Sequence, residues 1–305
     1  MSLFPPPQNI ATEVFAEVPA KYRKPGTVNA ERLAAGKPQV EDFLEGPSFD
    51  RAGNLYLVDI PHGRIFRVSP RGEFDLVAEY DGEPNGLKIH KDGRIFVADH
   101  KNGVMLLDPA SGKVTPFMQR YHTERLKGPN DLVFADNGDL YFTDQGQSGL
   151  QDWSGRVFRV STAGRIDCLI DNVPSPNGIV LDPQQKHVYV AVTRMNCIWQ
   201  LMLLPDGHIT RAGAWVYLQG GRGPDGMAMG EGGELCVAHP GTGSIWVFSR
   251  QGEPLYRVKS CRSEFITNIA FGGPQRRQLY ITDSHAGCVL VADMPFAGVP
   301  MYSHC

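Results

Sequence analysis

Short apolar runs alternate with turn-forming residues along nearly the whole chain, and the order of these runs repeats. A typical unit opens with an apolar run (132–134), continues through a turn containing Gly, Asn or Asp, and enters a second run rich in β-branched and aromatic residues (140–143). A loop leads to a third run (156–160), and another turn opens a fourth, more polar one. Asn-Gly and Asp-Gly pairs between such runs are typical of β-hairpins. Each unit is therefore predicted to be a four-stranded antiparallel sheet.

The spacing of these units indicates the architecture. A small polar residue opens the unit at regular intervals of 43 to 48 residues, at Asn85, Asn130, Asn177, Asp225 and Asn268. A sixth, weaker copy places Glu45 just before Gly-Pro. Four-stranded repeats of about 40 to 45 residues are typical of propeller blades. We therefore predict an all-β fold, a six-bladed β-propeller with four antiparallel strands per blade.

The repeat also predicts the domain organisation. A chain of 305 residues could form one large domain or two average ones, and a shared repeat favours one. Residues 45–305 are predicted to form the propeller, and residues 1–44 an N-terminal extension. Residues 12–16 are expected to close the ring against the last blade, with the tail at 298–302 as the alternative. Residues 30–35 are the best candidate for a short helix.

Composition narrows the class of partner. A net charge of −3 gives no reason to expect nucleic acid or an anionic membrane. No run approaches the roughly 18 apolar residues of a membrane helix, and the N-terminus lacks the features of a signal peptide. The six cysteines contain no C-x-x-C pair, so we expect reduced thiols in a cytoplasmic protein. A small molecule is the expected partner.

Polar residues are predicted to gather at one end of the propeller. In a four-stranded meander, the start of the first strand and the loop after the second strand share one face. The channel at this face is expected to receive the residues that open each unit, namely Glu45, Asn85, Asn130, Asn177, Asp225 and Asn268. The loops add a rim that includes His100, Asp144, Arg194 and His239. The alternative is that each Asn is a turn residue and each His a hydrogen-bonded loop residue.

This set of side chains suits metal chemistry. Carboxylate and amide oxygens are hard ligands that fit Ca²⁺, Mg²⁺ or Mn²⁺, with Ca²⁺ favoured when many oxygens can be gathered. A metal open to water can polarise a carbonyl or phosphoryl oxygen, and a nearby carboxylate can act as general base. The sequence contains no G-x-S-x-G elbow and no Walker loop, which argues against acyl-serine and P-loop chemistry.

The motifs resemble those of a known family, the senescence marker protein/gluconolactonase/luciferin-regenerating enzyme family, and its bacterial gluconolactonase-like members in particular. The similar motifs are Leu44-Glu45-Gly46-Pro47, Leu57-Val58-Asp59-Ile60, Gly128-Pro129-Asn130-Asp131-Leu132, Tyr141-Phe142-Thr143-Asp144, Pro176-Asn177-Gly178-Ile179 and Gly223-Pro224-Asp225-Gly226-Met227. The resemblance implies a six-bladed propeller with one divalent cation in its channel. It further implies Glu45, Asn177 and Asp225 as metal ligands, Asn130 as a fourth ligand or a substrate contact, and Asp225 as general base.

The expected activity follows from this resemblance. We expect a divalent-metal-dependent lactonase that hydrolyses a sugar-type (aldono) lactone to the hydroxy acid. Ca²⁺ is the favoured ion, with Mg²⁺, Mn²⁺ or Zn²⁺ as alternatives. Substrate contacts are expected from Asn130, His100, Arg194, His239 and Asp144. A phosphotriesterase, an organophosphate hydrolase or another ester hydrolase could use the same metal site, and a non-catalytic ligand-binding propeller is the alternative of another class.

Overall fold

The computed structural model describes residues 4–25 and 40–305, and it confirms the predicted fold. Six antiparallel sheets follow one another around a common axis, and the innermost strand of each sheet packs against those of its two neighbours. The only helices in the described ranges are the short 3₁₀ turns Ile60–His62, Thr193–Met195 and Tyr302–His304. None of these turns approaches the length or apolar character of a membrane-crossing helix. The candidate helix at 30–35 lies outside the described residues.

The first three blades each contain four strands that run outward from the axis. Blade one comprises Leu44–Phe49, Leu55–Asp59, Arg64–Val68 and Phe74–Glu79. Blade two comprises Pro84–Ile89, Ile95–Asp99, Gly103–Asp108 and Lys113–Met118, and the small hairpin Arg120–Tyr121 and Glu124–Arg125 follows it. Blade three comprises Pro129–Phe134, Leu140–Asp144, Gly155–Val160 and Ile166–Val173.

The last three blades repeat this pattern, with strands borrowed from the N-terminus. Blade four comprises Pro176–Leu181, His187–Val192, Cys197–Leu203 and Ile209–Tyr217. Blade five comprises Met227–Met229, Leu235–His239, Ser244–Phe248 and Pro254–Lys259, with Gln8–Ala11 added in parallel outside. Blade six comprises Ile266–Gly272, Gln278–Asp283 and Cys288–Asp293, with Glu13–Glu17 as its outermost strand.

The N-terminal segment closes the ring by pairing with the last blade of the propeller. Glu13–Glu17 pairs antiparallel with Cys288–Asp293, so an N-terminal strand and not the C-terminal tail completes the last blade. Each interface between blades buries apolar side chains from both partners, as Val58 of blade one and Leu87 and Val97 of blade two show. The division into a separate extension at 1–44 and a propeller at 45–305 stays a prediction.

The C-terminal tail has another position. It leaves blade six, forms a bridge between Gly298 and Gly230 of blade five, and ends beside blade one, where Arg51 donates to the Ser303 carbonyl at 2.7 Å. Tyr302 stacks on Phe134 of blade three with ring centroids 5.2 Å apart. Residues 299–302 line a mostly apolar cavity of about 140 Å³ beneath the innermost strands. The tail therefore lies across one mouth of the central channel.

At the other mouth, the innermost strands are irregular where they carry the predicted channel residues. In five blades the pairing register shifts within the first few residues of the strand, at 45–48, 84–86, 129–132, 176–179 and 266–269. A β-bulge bends a strand and redirects a side chain. The Pro-Asn-Gly pattern therefore marks a bulge in the innermost strand and not a hairpin turn.

Glycines after the channel residues allow neighbouring blades to meet. A Cβ atom on Gly46 would overlap the Asn85 carbonyl, one on Gly178 would overlap the Asp225 carbonyl, and one on Gly226 would overlap the Asn268 side chain. Each contact is with the blade that follows in the ring. The mouth of the channel is thus narrow because these positions lack side chains.

Buried aspartates hold the segments that lead into these strands. In four blades the second strand ends in an aspartate with 0% exposure, and its carboxylate accepts the backbone N–H of a residue that precedes the innermost strand. The pairs are Asp59 with Phe43 at 2.8 Å, Asp99 with Glu83 at 3.1 Å, Asp144 with Gly128 at 2.8 Å and Asp283 with Ser263 at 2.9 Å. We call these four residues the brace aspartates. They fix the starting point of the strands that carry the channel residues.

The close approach of blades predicts the effect of Gly178→Ala. The added methyl group would overlap the backbone of Asp225, so the variant should lose about 1 to 3 kcal/mol of unfolding free energy. Denaturant unfolding followed by tryptophan fluorescence measures this loss. Gly213→Ala is the matched control, because nothing lies within 4 Å of its added Cβ, and its stability should be unchanged or slightly higher. Equal stability of the two variants would contradict the close approach.

Candidate active site

Five of the predicted channel residues line one cleft. The cleft has a volume of about 500 Å³ and opens at the mouth opposite the C-terminal tail. Its lining includes Glu45, Asn85, Asn130, Asn177 and Asp225. These residues come from five successive blades, so the repeat brings one polar side chain per blade to the same place. Asn268, from the sixth blade, lies behind them.

Glu45 is a buried carboxylate with one oxygen left available. Its Oε2 accepts the Gly46 N–H at 2.8 Å and the Asn268 Nδ2 at 2.7 Å. Asn268 is itself fixed, because its Oδ1 accepts the Ile269 N–H at 2.8 Å. Within the described ranges, no hydrogen bond to Oε1 is present. Asn268 therefore orients Glu45, and Oε1 is the oxygen that can bind a cation.

Asp225 and Asn177 form the opposite side of the site. The Asp225 N–H donates to the Ala238 carbonyl at 2.9 Å, which fixes the chain just before the innermost strand of blade five. Burial raises the pKa of Asp225 to about 7. A hydrogen bond from Asn177 and the charge of Arg194 act in the opposite direction and lower it. Burial also raises the pKa of Glu45 well above its usual value, and the charge of Asp225 raises it further.

Asn130 is positioned by a short chain of amides. Its side chain is 4% exposed, and its Nδ2 donates to the Gln145 Oε1 at 3.0 Å. The Gln145 Nε2 in turn donates to the Ser175 Oγ at 2.9 Å. These bonds leave the Asn130 Oδ1 free to face the cleft. Gln145 directly follows the second strand of blade three, and its role in orienting Asn130 has no signal in the sequence.

A buried charged pair lies beneath the site, and sequence reasoning missed it. Asp131 is 2% exposed, and its Oδ1 lies 3.8 Å from the Lys88 Nζ. Burial raises the pKa of Asp131, and the charge of Lys88 lowers it. The negative charge of Asp131 also raises the pKa of both Glu45 and Asp225. The acidic residue after Pro-Asn was the available signal, because it replaces the glycine found in other units.

Two of the predicted substrate residues lie in the cleft. His100 and Arg194 are both part of its wall. His100 comes from the loop after the second strand of blade two, and the ring lies against Gly128, where a Cβ atom would be 2.5 Å from its Cε1. Arg194 is exposed in the 3₁₀ turn of blade four.

The structure does not bring His239 and Asp144 into the cleft. His239 is fully buried, and its Nε2 donates to the Gly220 carbonyl at 3.0 Å. Burial lowers the pKa of this histidine, which favours the neutral ring. Asp144 is a brace aspartate whose Oδ2 is paired with Arg156 at 2.6 Å. Both residues support the loops around the site and do not contact its contents.

The donor set fits a hard divalent cation. Two carboxylates, Glu45 and Asp225, lie in the cleft with pKa values that burial raises, so a bound cation would stabilise their ionised forms. The asparagine side chains of the cleft can add neutral oxygen ligands. In residues 4–25 and 40–305 there is no group of three or more His, Cys, Asp or Glu side chains that could hold a metal. Any ion in this cleft would therefore depend on amide oxygens as well, a set that calcium accepts.

The chain is similar in sequence and in fold to known proteins. Residues 43–285 match the model of the SMP-30/gluconolactonase/LRE-like region. The chain is 32% identical over 256 residues to the lactonase drp35 of Staphylococcus saprophyticus, covering 80% of this chain and 77% of that protein. It is 30% identical over 276 residues to the gluconolactonase of Zymomonas mobilis, covering 80% and 76%. The fold is similar to that of regucalcin, a calcium-binding protein of Agrobacterium tumefaciens, with a TM-score of 0.79, 19% identity and 98% of each chain covered.

The two raised pKa values predict how stability depends on pH and calcium. Folding raises the pKa of Asp225 from 3.8 to about 7, so this group contributes full stability below its unfolded pKa, and the contribution is lost as the pH rises through about 7. The melting temperature of EDTA-treated protein should therefore fall by ~5 °C or more between pH 5 and pH 8. Calcium should reverse the fall at pH 8, because it neutralises the ionised carboxylates.

Differential scanning calorimetry tests this linkage. Asp225→Asn should reduce the pH dependence and weaken the effect of calcium. Asp75→Asn, which removes an exposed carboxylate of blade one, should behave like the unmodified chain. Identical profiles with and without calcium would show that the cleft does not bind calcium.

Proposed function

The chain belongs to the SMP-30/gluconolactonase/LRE-like family, and on that premise we propose that it is a hydrolase that opens a lactone to its hydroxy acid. The observation that carries the proposal is the pair of carboxylates, Glu45 and Asp225, in a cleft that also presents the side-chain amides of Asn85, Asn130 and Asn177. Relatives at 30% identity or more are named lactonase and gluconolactonase, which supports a cyclic ester as substrate.

We further propose that the site depends on a divalent cation. Glu45, Asn177 and Asp225 would hold it, with Asn130 as a fourth ligand or a substrate contact. Calcium is the ion that this oxygen set favours. Bound there, the cation would supply a Lewis acid for the carbonyl oxygen of the lactone. The similarity in fold to a calcium-binding protein gives the choice of ion modest support.

Asp225 is the proposed general base. A carboxylate can bind a cation through one oxygen and accept a proton from water through the other. Burial raises the pKa of Asp225 to about 7 in the absence of a cation, and a bound divalent cation would lower it, so that the carboxylate would be ionised and able to accept a proton at neutral pH. The hydrogen bond from Asn177 would hold the carboxylate in position during this step.

The remaining residues of the cleft would bind and orient the substrate. Asn130 presents its Oδ1 because Gln145 occupies its Nδ2. His100 lies 3.3 Å from Gln147 through its Nε2, so both can contact the hydroxyl groups of a sugar-type (aldono) lactone. Phe43 and Phe265 contribute apolar wall to the same cleft, and their rings lie 6.0 Å apart. We propose a sugar-type lactone because most of this wall is polar.

Acid release at constant pH tests the proposed activity. Glucono-1,5-lactone and a panel of other lactones would be added to EDTA-treated protein, before and after Ca²⁺, Mg²⁺, Mn²⁺ or Zn²⁺ is restored. We expect hydrolysis above the spontaneous rate only when metal is present. Absence of hydrolysis on every lactone, with metal bound, would refute a lactonase, and phosphotriesters would be tried next.

The role of Asp225 has its own test. Asp225→Asn should reduce kcat by about 10² to 10⁴-fold, as expected for the loss of a general base, while circular dichroism stays unchanged. Asp75→Asn, on the outside of blade one, serves as the control and should retain full activity. Calorimetric titration with calcium separates the two roles, because a variant that binds calcium yet does not turn over has lost only the base.

A further inference from the structure

Two arginines occupy one side of the cleft on loops that pack together. Arg194 lies in the 3₁₀ turn of blade four, and Arg222 lies just before the innermost strand of blade five. The Thr193 Oγ1 donates to the Pro224 carbonyl at 2.8 Å, which joins the two loops. The Arg222 N–H donates to the Pro240 carbonyl at 2.8 Å, which fixes the second loop from beneath. The backbone therefore holds both arginines at the same wall.

Neither guanidinium group is in direct contact with a carboxylate of the described residues. Across residues 4–25 and 40–305, neither of them forms an ion pair or a side-chain hydrogen bond, although both are part of the cleft. The Arg222 guanidinium lies 5.1 Å from the centre of the Phe265 ring, and that ring stacks on His285 at 5.0 Å. An aromatic ring supports a guanidinium group through its face and leaves the N–H edges available. The Phe265 ring thus orients Arg222 and leaves its N–H groups available to a ligand.

The central carboxylates of the site have other positive partners. Lys88 lies 3.8 Å from Asp131, and a divalent cation would compensate Glu45 and Asp225. Arg194 acts on Asp225 through its charge, but within the described ranges neither arginine forms an ion pair with these carboxylates. Both guanidinium groups therefore remain available to a ligand.

The opposing carboxylate of the cleft lies elsewhere. Glu83 precedes the innermost strand of blade two. Blades two and five are opposite in a ring of six, so Glu83 and Arg222 stand on opposite sides of the axis. The cleft is therefore polarised, with its positive side next to the proposed base.

We propose that Arg194 and Arg222 bind an anionic group of the substrate, so that the preferred lactone carries a carboxylate or a phosphate in addition to its ring. The inference rests on the proposed function, and it makes the substrate class narrower. A planar guanidinium fork matches a carboxylate or a phosphate through two parallel hydrogen bonds. The anion would hold the ring against the blade four and blade five side of the cleft, beside Asp225.

Matched pairs of lactones test the proposal. Glucono-1,4-lactone and glucaro-1,4-lactone differ only at the last carbon, where the second has a carboxylate. Glucono-1,5-lactone and its 6-phosphate form the corresponding pair for a phosphate. We expect kcat/KM to be about 10-fold to 100-fold higher for one or both anionic members, since hydrogen bonds to charged groups are the stronger ones. The pair with the larger ratio identifies the anion.

Arginine variants locate the effect. Arg222→Gln and Arg194→Gln should each lower this ratio about tenfold or more, because each should raise KM for the anionic lactone more than KM for the neutral one. Arg211→Gln is the control, because Arg211 is exposed on the outermost strand of blade four. Calorimetric binding of the products is a second readout, with glucarate or 6-phosphogluconate losing more affinity than gluconate in the two cleft variants.

The outcomes separate this inference from the activity on which it rests. Hydrolysis of neutral and anionic lactones at equal rates, unaffected by the arginine variants, would overturn the inference and leave the lactonase intact. Failure to hydrolyse any lactone, together with arginine-dependent binding of an anionic product, would leave an anion site in a protein of another activity. Loss of both readouts would overturn both proposals.

Discussion

The close approach of the innermost strands at one mouth of the channel is the constraint on which the site depends. Where Gly46, Gly178 and Gly226 follow the channel residues, an added Cβ atom would overlap the next blade. Side chains are absent at these positions, so the polar residue just before each glycine can face the axis at short range from its neighbours. The bulges of the innermost strands serve the same end, because they turn these side chains inward.

A second layer of buried polar groups stabilises the position of the innermost strands. The brace aspartates connect the end of each second strand to the segment that enters the innermost strand. Asp59 and Asp144 also form buried ion pairs with Arg64 and Arg156, and breaking such pairs is costly because the remaining charge is left without a partner. Blades four and five lack the aspartate, and there the Thr193 and His239 side chains hydrogen-bond to carbonyl groups of the adjoining loops.

The sequence predicted much of the fold and the centre of the site, because both follow from the repeat. The spacing of Asn130, Asn177 and Asp225 implied a common structural position, and the structure brings all three to one cleft. Rim residues were harder to predict, since a loop residue next to a strand end can face the cleft, as Arg194 does, or the interior, as His239 does.

What the sequence could not reveal depends on contacts between distant segments. The ion pair between Lys88 and Asp131 joins blades two and three. Arg222, at the start of blade five, is oriented by Phe265, which directly precedes blade six. Periodicity identifies equivalent positions and says nothing about which side chains meet across a blade interface. Asp144 illustrates the point, because it was predicted as a rim residue that contacts substrate, and its hydrogen bond to the Gly128 N–H was not predicted.

The C-terminal tail makes the two ends of the channel unequal. Residues 299–302 cross one mouth, and the tail is held there by Arg51 and by the stacking of Tyr302 on Phe134. Substrate, water and product would consequently enter and leave through the one opening at the polar end. Product would have to leave before the next substrate could bind, so product release would limit how soon a new turnover could begin.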